Sequence, residues 1–217
     1  MKRMRPSDLA KRKAIIDAAV DSFFDLGFAA TSIEQVAINA GVSKVTIYNH
    51  FKDKRGLFTA AVERQCDLLR GHFNIDNLAS GDLRRRLTAI GEAMVEFLSR
   101  PEMVQFERRI AAETESDPAV GMTFLTAGPH RMKSAFTKLL RAMDEAGEVV
   151  ISDHELAAEQ FAAMCKGMGD LDLRFGMERD ENRTKQRIAG AVSVFCAAYA
   201  AKERHPKITG AADLKSD

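Results

Sequence analysis

Within residues 43–54 lie Ser43, Lys44, Thr46, Tyr48, Asn49, His50 and Lys54, a run of donors suited to the phosphates and base edges of a nucleic acid. Hydroxyl, imidazole and ammonium groups hold phosphates by directed hydrogen bonds, which positions a protein without reading sequence. Lys44 can donate to guanine O6 and N7, and Val45 can touch a thymine methyl. Signs of covalent chemistry are missing by comparison. The chain has no Gly-x-Ser-x-Gly, no His-Glu-x-x-His and no phosphate-binding loop, and Glu107, Glu113 and Glu115 are not spaced as an acid/base pair. His154 with Glu155 and Glu159, or His130 with Asp117, are metal-ligand types without closed ligand spacing and read as helix-surface residues. No catalytic group, metal site or cofactor is expected.

The elements that must position these side chains are nearly all helical, an all-α fold. Ala, Leu, Glu, Lys, Arg and Met dominate, 217 residues hold only 5 Pro, and Val149-Val150-Ile151 is too short for a sheet. A first helix is expected over 9–26, with Ile15, Ala18, Ala19, Phe23 and Leu26 on its apolar face and Gly27 as its stop. Ser32 with Gln35, or Thr31 with Glu34, fits a capping box that opens a short helix to 40. After Gly41-Val42, Ser43 can cap a third helix over 44–51 that buries Ile47 and Phe51. Short helix, glycine-containing turn and short capped helix make a helix-turn-helix. It leaves Lys44, Val45, Thr46, Tyr48, Asn49 and His50 facing outward, as a major-groove reader requires. Further helices are expected over 54–73, 82–99, 101–116, 118–146, 153–175 and 180–203, with Leu57, Ala61, Val62, Cys66 and Leu69 striping the first of them. Gly128-Pro129 should break the helix of 118–146 near 127, because proline lacks an N–H and clashes with the preceding turn. The expected division is a DNA-binding unit at 1–53, a larger helical unit at 54–205 and a tail at 206–217.

Charge points the same way. Lys and Arg number 32 against 31 acids, which excludes a uniformly basic packaging protein. Residues 1–55 nevertheless hold 10 basic residues against 6 acidic ones, so the N-terminal end meets a polyanion or is a solvated basic tail. The three cysteines, Cys66, Cys165 and Cys196, form no CxxC and fit a reducing cytoplasm, as buried small hydrophobes or a redox sensor. The longest apolar run, 194–201, is far short of the ~20 residues a membrane span needs.

Across residues 15–64 the sequence resembles the tetracycline-repressor (TetR) family of bacterial transcriptional regulators. The resemblance rests on Gly27-Phe28-x-x-Thr31-Ser32, Ala40-Gly41-Val42-Ser43-Lys44, Thr46-Ile47-Tyr48-x-His50-Phe51 and Lys54-x-x-Leu57-Phe58. Residues 100–120 and 153–161 look similar to one branch of the family's C-terminal domains. The resemblance implies a homodimer with an N-terminal DNA-binding domain of three helices and a C-terminal domain that binds a small molecule and dimerises. By position it places Ser32, Thr46, Tyr48 and His50 on phosphates, Lys54 on the DNA backbone, and Ser43, Lys44, Val45 and Asn49 among base readers. Asn49 departs from the aromatic often found at its position. Tyr48 alone could be half-buried packing, but the turn pattern around it favours phosphate contact, and His50 can equally cap or pack at the start of the next helix.

Eight of the 10 Met and six of the 13 Phe fall within 94–177, as bundle core or as the lining of an apolar cavity. A cavity would draw on Met94, Phe97, Met103, Phe106, Phe124 and Phe136, with Arg109, Thr126 and His130 as polar groups, and would accept a small, mostly apolar effector. In the last two helices Leu156, Phe161, Met164 and Met168, and Ile188, Val192, Phe195 and Tyr199, recur at helical spacing. Their apolar arcs are wide enough to bury two sides, one of them on a twofold mate. The expected molecule is a cytoplasmic, dimeric repressor that binds near-palindromic double-stranded operator DNA and is released by its effector. A nucleoid-associated or assembly protein without effector, and an enzyme or carrier on the same scaffold, are the alternatives.

Overall fold

The computed structural model describes residues 6–72 and 82–201. Lys2, Arg3 and Arg5, Phe73, the loop 74–81, the tail 206–217 and the side chain of Leu69 lie outside what it describes. Among the described residues every regular element is a helix: α1 (Pro6–Ala30), α2 (Ile33–Asn39), α3 (Lys44–Phe51), α4 (Lys54–His72), α5 (Leu83–Leu98), α6 (Pro101–Thr114), α7 (Pro118–Ala127), α8 (Pro129–Glu145), α9 (His154–Arg174) and α10 (Glu181–Tyr199).

The helix ends follow local chemistry. Asp117, Asp153 and Asp180 each accept a backbone N–H at the start of α7, α9 and α10, from Ala119, Leu156 and Arg183. Pro101, Pro118 and Pro129 occupy first-turn positions, where a missing N–H costs nothing. The break expected near 127 is the elbow between α7 and α8. A Cβ on Gly128 would lie 3.2 Å from Val62 Cγ1, so the elbow packs closely on α4. Two residues at cap positions make no capping bond, Ser32 of the expected capping box among them. Ser32 opens α2 without a side-chain bond, and Gln35 donates to Asn39 instead. Asp82 precedes α5 without capping it. The segment 149–151, too short for a sheet, makes a single antiparallel bridge from Val149 to Ala200 that pins the α8–α9 link to the end of α10.

Two apolar clusters hold the helices together. The first joins α1–α4 to α6 and α7, through Phe23, Phe24, Ile47, Phe51, Leu57, Phe58, Met103, Phe106, Ile110 and Val120. The second joins α5, α8, α9 and α10, through Leu87, Ile90, Leu140, Phe161, Ile188, Val192 and Phe195. The first cluster runs unbroken across Lys54, so the three N-terminal helices share their core with the helices behind them. Leu26, expected on the buried face of α1, is about half exposed, because α1 loses helical geometry at Gly27, one residue later.

Candidate nucleic-acid interface

The recognition element is built from α2 and α3. Ile33, Val36 and Ala37 on α2 and Ile47 and Phe51 on α3 are buried, which fixes the two short helices against α1 and α4. Ser43 sits in extended geometry before α3 and accepts from the Thr46 N–H at 3.2 Å, with the two hydroxyls 2.9 Å apart. This is the cap expected from the sequence, and it turns the N-terminal end of α3 outward. Lys44, Val45, Tyr48 and Asn49 are exposed, Val45 by 67%, while Thr46 and His50 are half-buried. The His50 ring lies 6.0 Å from that of Phe51. An exposed valine at the tip of a capped helix gains nothing from water, and it suits contact with a base methyl.

Lys44 is not free on this surface. Its Nζ donates to Glu34 Oε1 of α2 at 2.7 Å, and both side chains are largely solvent-exposed. This hydrogen-bonded ion pair holds the Glu34 carboxyl below its ordinary range and raises the Lys44 ammonium. Lys54 is committed as well. Its Nζ donates to the Ala29 carbonyl at 3.0 Å and lies 4.8 Å from the Phe28 ring centre. Burial lowers the Lys54 pKa, opposed by nearby Glu113. Ser32 is exposed at the start of α2. The described part of the basic N-terminal segment is helical, and Arg12 lies over the Phe51 ring at 5.2 Å.

Behind the recognition helix, the end of α1 is gripped by the rest of the molecule. Gly27 adopts φ 85°, a conformation side chains disfavour, and breaks the regular helix. Arg109 of α6 donates from Nη1 to the Phe24 carbonyl at 2.6 Å, and Glu113 Oε2 accepts from the Ala29 N–H at 2.9 Å. Thr31, buried, lies within hydrogen-bond distance of the Ser22 and Gly27 carbonyls. A Cβ on Gly27 would come within 2.3 Å of Glu113 Oε1, so the glycine admits the carboxylate. On α4, Arg55 pairs with the α7 cap Asp117 at 3.1 Å, and Arg131 of α8 pairs with Glu63 at 2.7 Å and Asp67 at 2.9 Å. No spacing in the sequence announces these contacts, since the bonded residues stand 62 to 85 positions apart.

The family model described as bacterial regulatory proteins of the tetR family matches residues 15–61, the helices just described. A second, described as the C-terminal domain of AefR-like transcriptional repressors, matches residues 85–201, more than half of the chain. The chain belongs to the TetR family. It is similar to the HTH-type transcriptional regulator YvkB of Bacillus subtilis, 29% identical over 165 residues, which cover 76% of this chain and 82% of that one. It is 34% identical to the transcriptional activator FasR of Mycolicibacterium smegmatis over 97 residues, 41% of this chain and 40% of that one. Among solved structures it is similar to the flavonoid-responsive regulator FrrA, with 27% identity, a TM-score of 0.70, and coverage of 88% of this chain and 98% of that one. Members of the TetR family are DNA-binding transcriptional regulators rather than enzymes, and that is the coarse function of this chain.

The pocket expected in this TetR-family protein is not assembled. Phe106 is fully buried, stacked 4.1 Å from Phe24 and edge-on to Phe124, and it fills the first cluster together with Met103. Phe97 and Phe124 pack at its margin, whereas Met94 and Phe136 belong to the second cluster. His130 and Thr126 are exposed, and Arg109 is held by α1. The reason is the elbow. The space a kinked helix would leave is filled by α4 against Gly128. Two concavities lie away from the expected pocket residues. One of about 410 Å³ opens beside Arg84, Arg85, Thr88 and Glu92, and one of about 270 Å³ lies between Val20, Phe24, Gln65 and Arg100.

The dimer candidates divide. Phe161, Ile188, Val192 and Phe195 are buried inside this chain's own second cluster, so they are core, not surface. Met164 and Tyr199 are half-buried, and Tyr199 donates to Gln160. Leu156 and Met168 are exposed, together with Leu171, Phe175 and Val194. The outward stripe of α10 is Gly190, Ser193, Val194 and Ala197, one step round from the expected one. His154, read as a helix-surface residue, bonds Asp144 at 2.8 Å, and Glu155 and Glu159 approach Lys133. Burial pushes the Cys66 thiol up to about 11 and the Cys165 thiol to about 12, which disfavours the reactive thiolate a redox sensor needs.

Proposed function

We propose that this chain is a homodimeric repressor that binds a near-palindromic operator and leaves it when a small, apolar effector binds behind the recognition helices. The observation that carries the reading is the grip of α6 on α1. Arg109 and Glu113 tie the backbone of 24–29 to a helix that also contributes Met103 and Phe106 to the shared core. Movement of α6 therefore reaches the recognition unit through bonds as well as packing. In the operator-bound dimer two α3 helices stand about 34–36 Å apart, one turn of DNA. Ser43, Lys44, Val45 and Asn49 meet base edges, and Ser32, Thr46, Tyr48 and His50 meet phosphates. Lys54 acts on DNA mainly by holding Ala29 and the end of α1. The twofold mate covers Leu156, Met168, Leu171, Phe175 and Val194, an apolar face a monomer would leave in water. The site of action is the cytoplasm, where operator DNA lies.

The effector class rests on the Phe and Met content of the first cluster. Phe97 and Phe124, half-buried at its edge, can part to admit a planar ring. The flavonoid response of FrrA supports a planar aromatic class. Repression is supported by the repressor family of the C-terminal match, while FasR is an activator, so operator position relative to the promoter decides the sign.

The experiment begins with selection of duplexes from a random pool, followed by thermal-shift and DNA-release assays with flavonoids, aliphatic amphiphiles and sugar phosphates. Aromatic compounds should raise the melting temperature and release DNA. Release by phosphorylated compounds alone overturns the effector class. A panel without any response favours the effector-free alternative.

A further inference from the structure

Lys44 occupies the first position of α3, where the positive end of the helix dipole disfavours a cation and Ser43 already caps the helix. Helix stability therefore does not explain a lysine there. What holds it is Glu34, on the preceding helix, at 2.7 Å. Two other acids near this end bond within their own surroundings. Asp53 accepts the Gly56 N–H at the start of α4, and Asp17 of α1 lies between Lys13 of the same helix and Arg64 of α4. Glu34 lies in the first turn of α2, where a carboxylate complements the helix dipole, but it points its exposed carboxylate at Lys44 across the α2–α3 surface that faces DNA. A carboxylate among phosphates is repelled, so its place on this face calls for a compensating gain.

Resting on the DNA-binding reading above, we infer that Glu34 is a specificity-determining residue that masks Lys44 from phosphates and surrenders it only to the acceptors of a base edge. Off the operator, the ion pair satisfies the ammonium, and α3 offers no loose cation at its tip to an arbitrary backbone. At the operator, guanine O6 and N7 replace the carboxylate. The lysine is then in place without a search over its rotamers. Glu34 thus lowers the affinity for all DNA and lowers it most for the wrong DNA.

The test compares wild type, Glu34→Gln, Lys44→Ala and the double variant. The probes are a duplex selected from a random pool by the wild-type protein and a scrambled duplex of the same composition. Glu34→Gln should strengthen binding to the scrambled duplex more than to the selected one. On the scrambled duplex the slope of log affinity against log salt should steepen by about 0.9 per recognition helix as the freed Lys44 takes a phosphate. Between 50 and 200 mM salt that is about 3.5-fold of added loss per helix. The double variant should return to the slope of Lys44→Ala alone. An unchanged slope in Glu34→Gln, or equal weakening on both duplexes, overturns the inference. So does a loss of discrimination at one base pair without a change in slope, since Glu34 would then read that base itself. Failure of the wild-type protein to select any duplex overturns the DNA-binding reading and this inference together, whereas selection with an unchanged slope overturns this inference alone.

Discussion

The end of the molecule that carries α3 and the end that carries α10 are each organised round a chain of aromatic rings, but their helices are used differently. At the first, Phe23, Phe28, Phe58 and Phe106 adjoin in succession across α1, α4 and α6, and Phe106 in turn adjoins Phe24 of α1 and Phe124 of α7. At the second, Phe136, Phe161, Phe195 and Tyr199 do the same across α8, α9 and α10. The helices of the recognition unit are too short to own two apolar faces: α2 has 7 residues and α3 has 8. Burying one face leaves the other in solvent, where it can read DNA. The helix α9, interrupted at Gly167 where φ is 48°, spans 21 residues and α10 spans 19, and both are apolar over a wide arc. Packing one stripe inward leaves a second apolar stripe in water. Short helices thus leave one solvent-facing side for DNA, and long ones leave an apolar stripe for a partner.

The sharpest way to break this comparison is on α10. Val192 is 1% exposed and Val194 is 56% exposed, two positions apart. Val192→Glu places an unpaired charge in the second cluster and should cost more than about 4 kcal/mol, enough to lose the native far-UV signal and melting transition. Val194→Glu should keep the monomer fold and shift sedimentation from dimer to monomer. The reverse pattern would show that the stripes are exchanged.

Next in size are the two aromatic chains themselves. Phe106→Ala and Phe161→Ala should each cost about 3–5 kcal/mol in urea unfolding, the range for a fully buried ring. They should differ in binding. Phe106 joins α6 to α1 and α4, so its loss should weaken operator binding by the folded protein. Phe161→Ala should leave that affinity within about threefold, because its ring touches only the far cluster. Equal loss of affinity in both variants would dissolve the distinction between the ends.

The smallest effect belongs to the grip on α1. Glu113→Ala removes the acceptor of the Ala29 N–H and should cost about 1 kcal/mol of stability. Gly27→Ala should cost about 1–2 kcal/mol through its left-handed backbone alone, before the collision with Glu113. Both should lower operator affinity, read by fluorescence anisotropy. A restored Gly27→Ala when combined with Glu113→Ala would separate collision from backbone strain.

Sequence alone determined the helices, and it did so because helix limits are set by near neighbours. Gly27, Gly128-Pro129 and the aspartates at 117, 153 and 180 act within one turn of where they stand, and the helix-turn-helix pattern is written in the residues from Gly27 to Phe58. Ser32 and Asp82 mark the limit of that reasoning, since a side chain can sit at a cap position and still bond elsewhere or not at all. The choice among apolar stripes was a tertiary matter. Nothing local distinguishes Val192 from Val194, or a phenylalanine that lines a cavity from one that fills it. Their difference arises when α9 and α6 arrive from far along the chain. The same holds for Arg109, expected at the cavity, Lys54, expected on the DNA backbone, and Glu113, for which the spacing gave no role. They became the fastening of α1 only because α6 and α4 converge on a backbone that Gly27 had bent open.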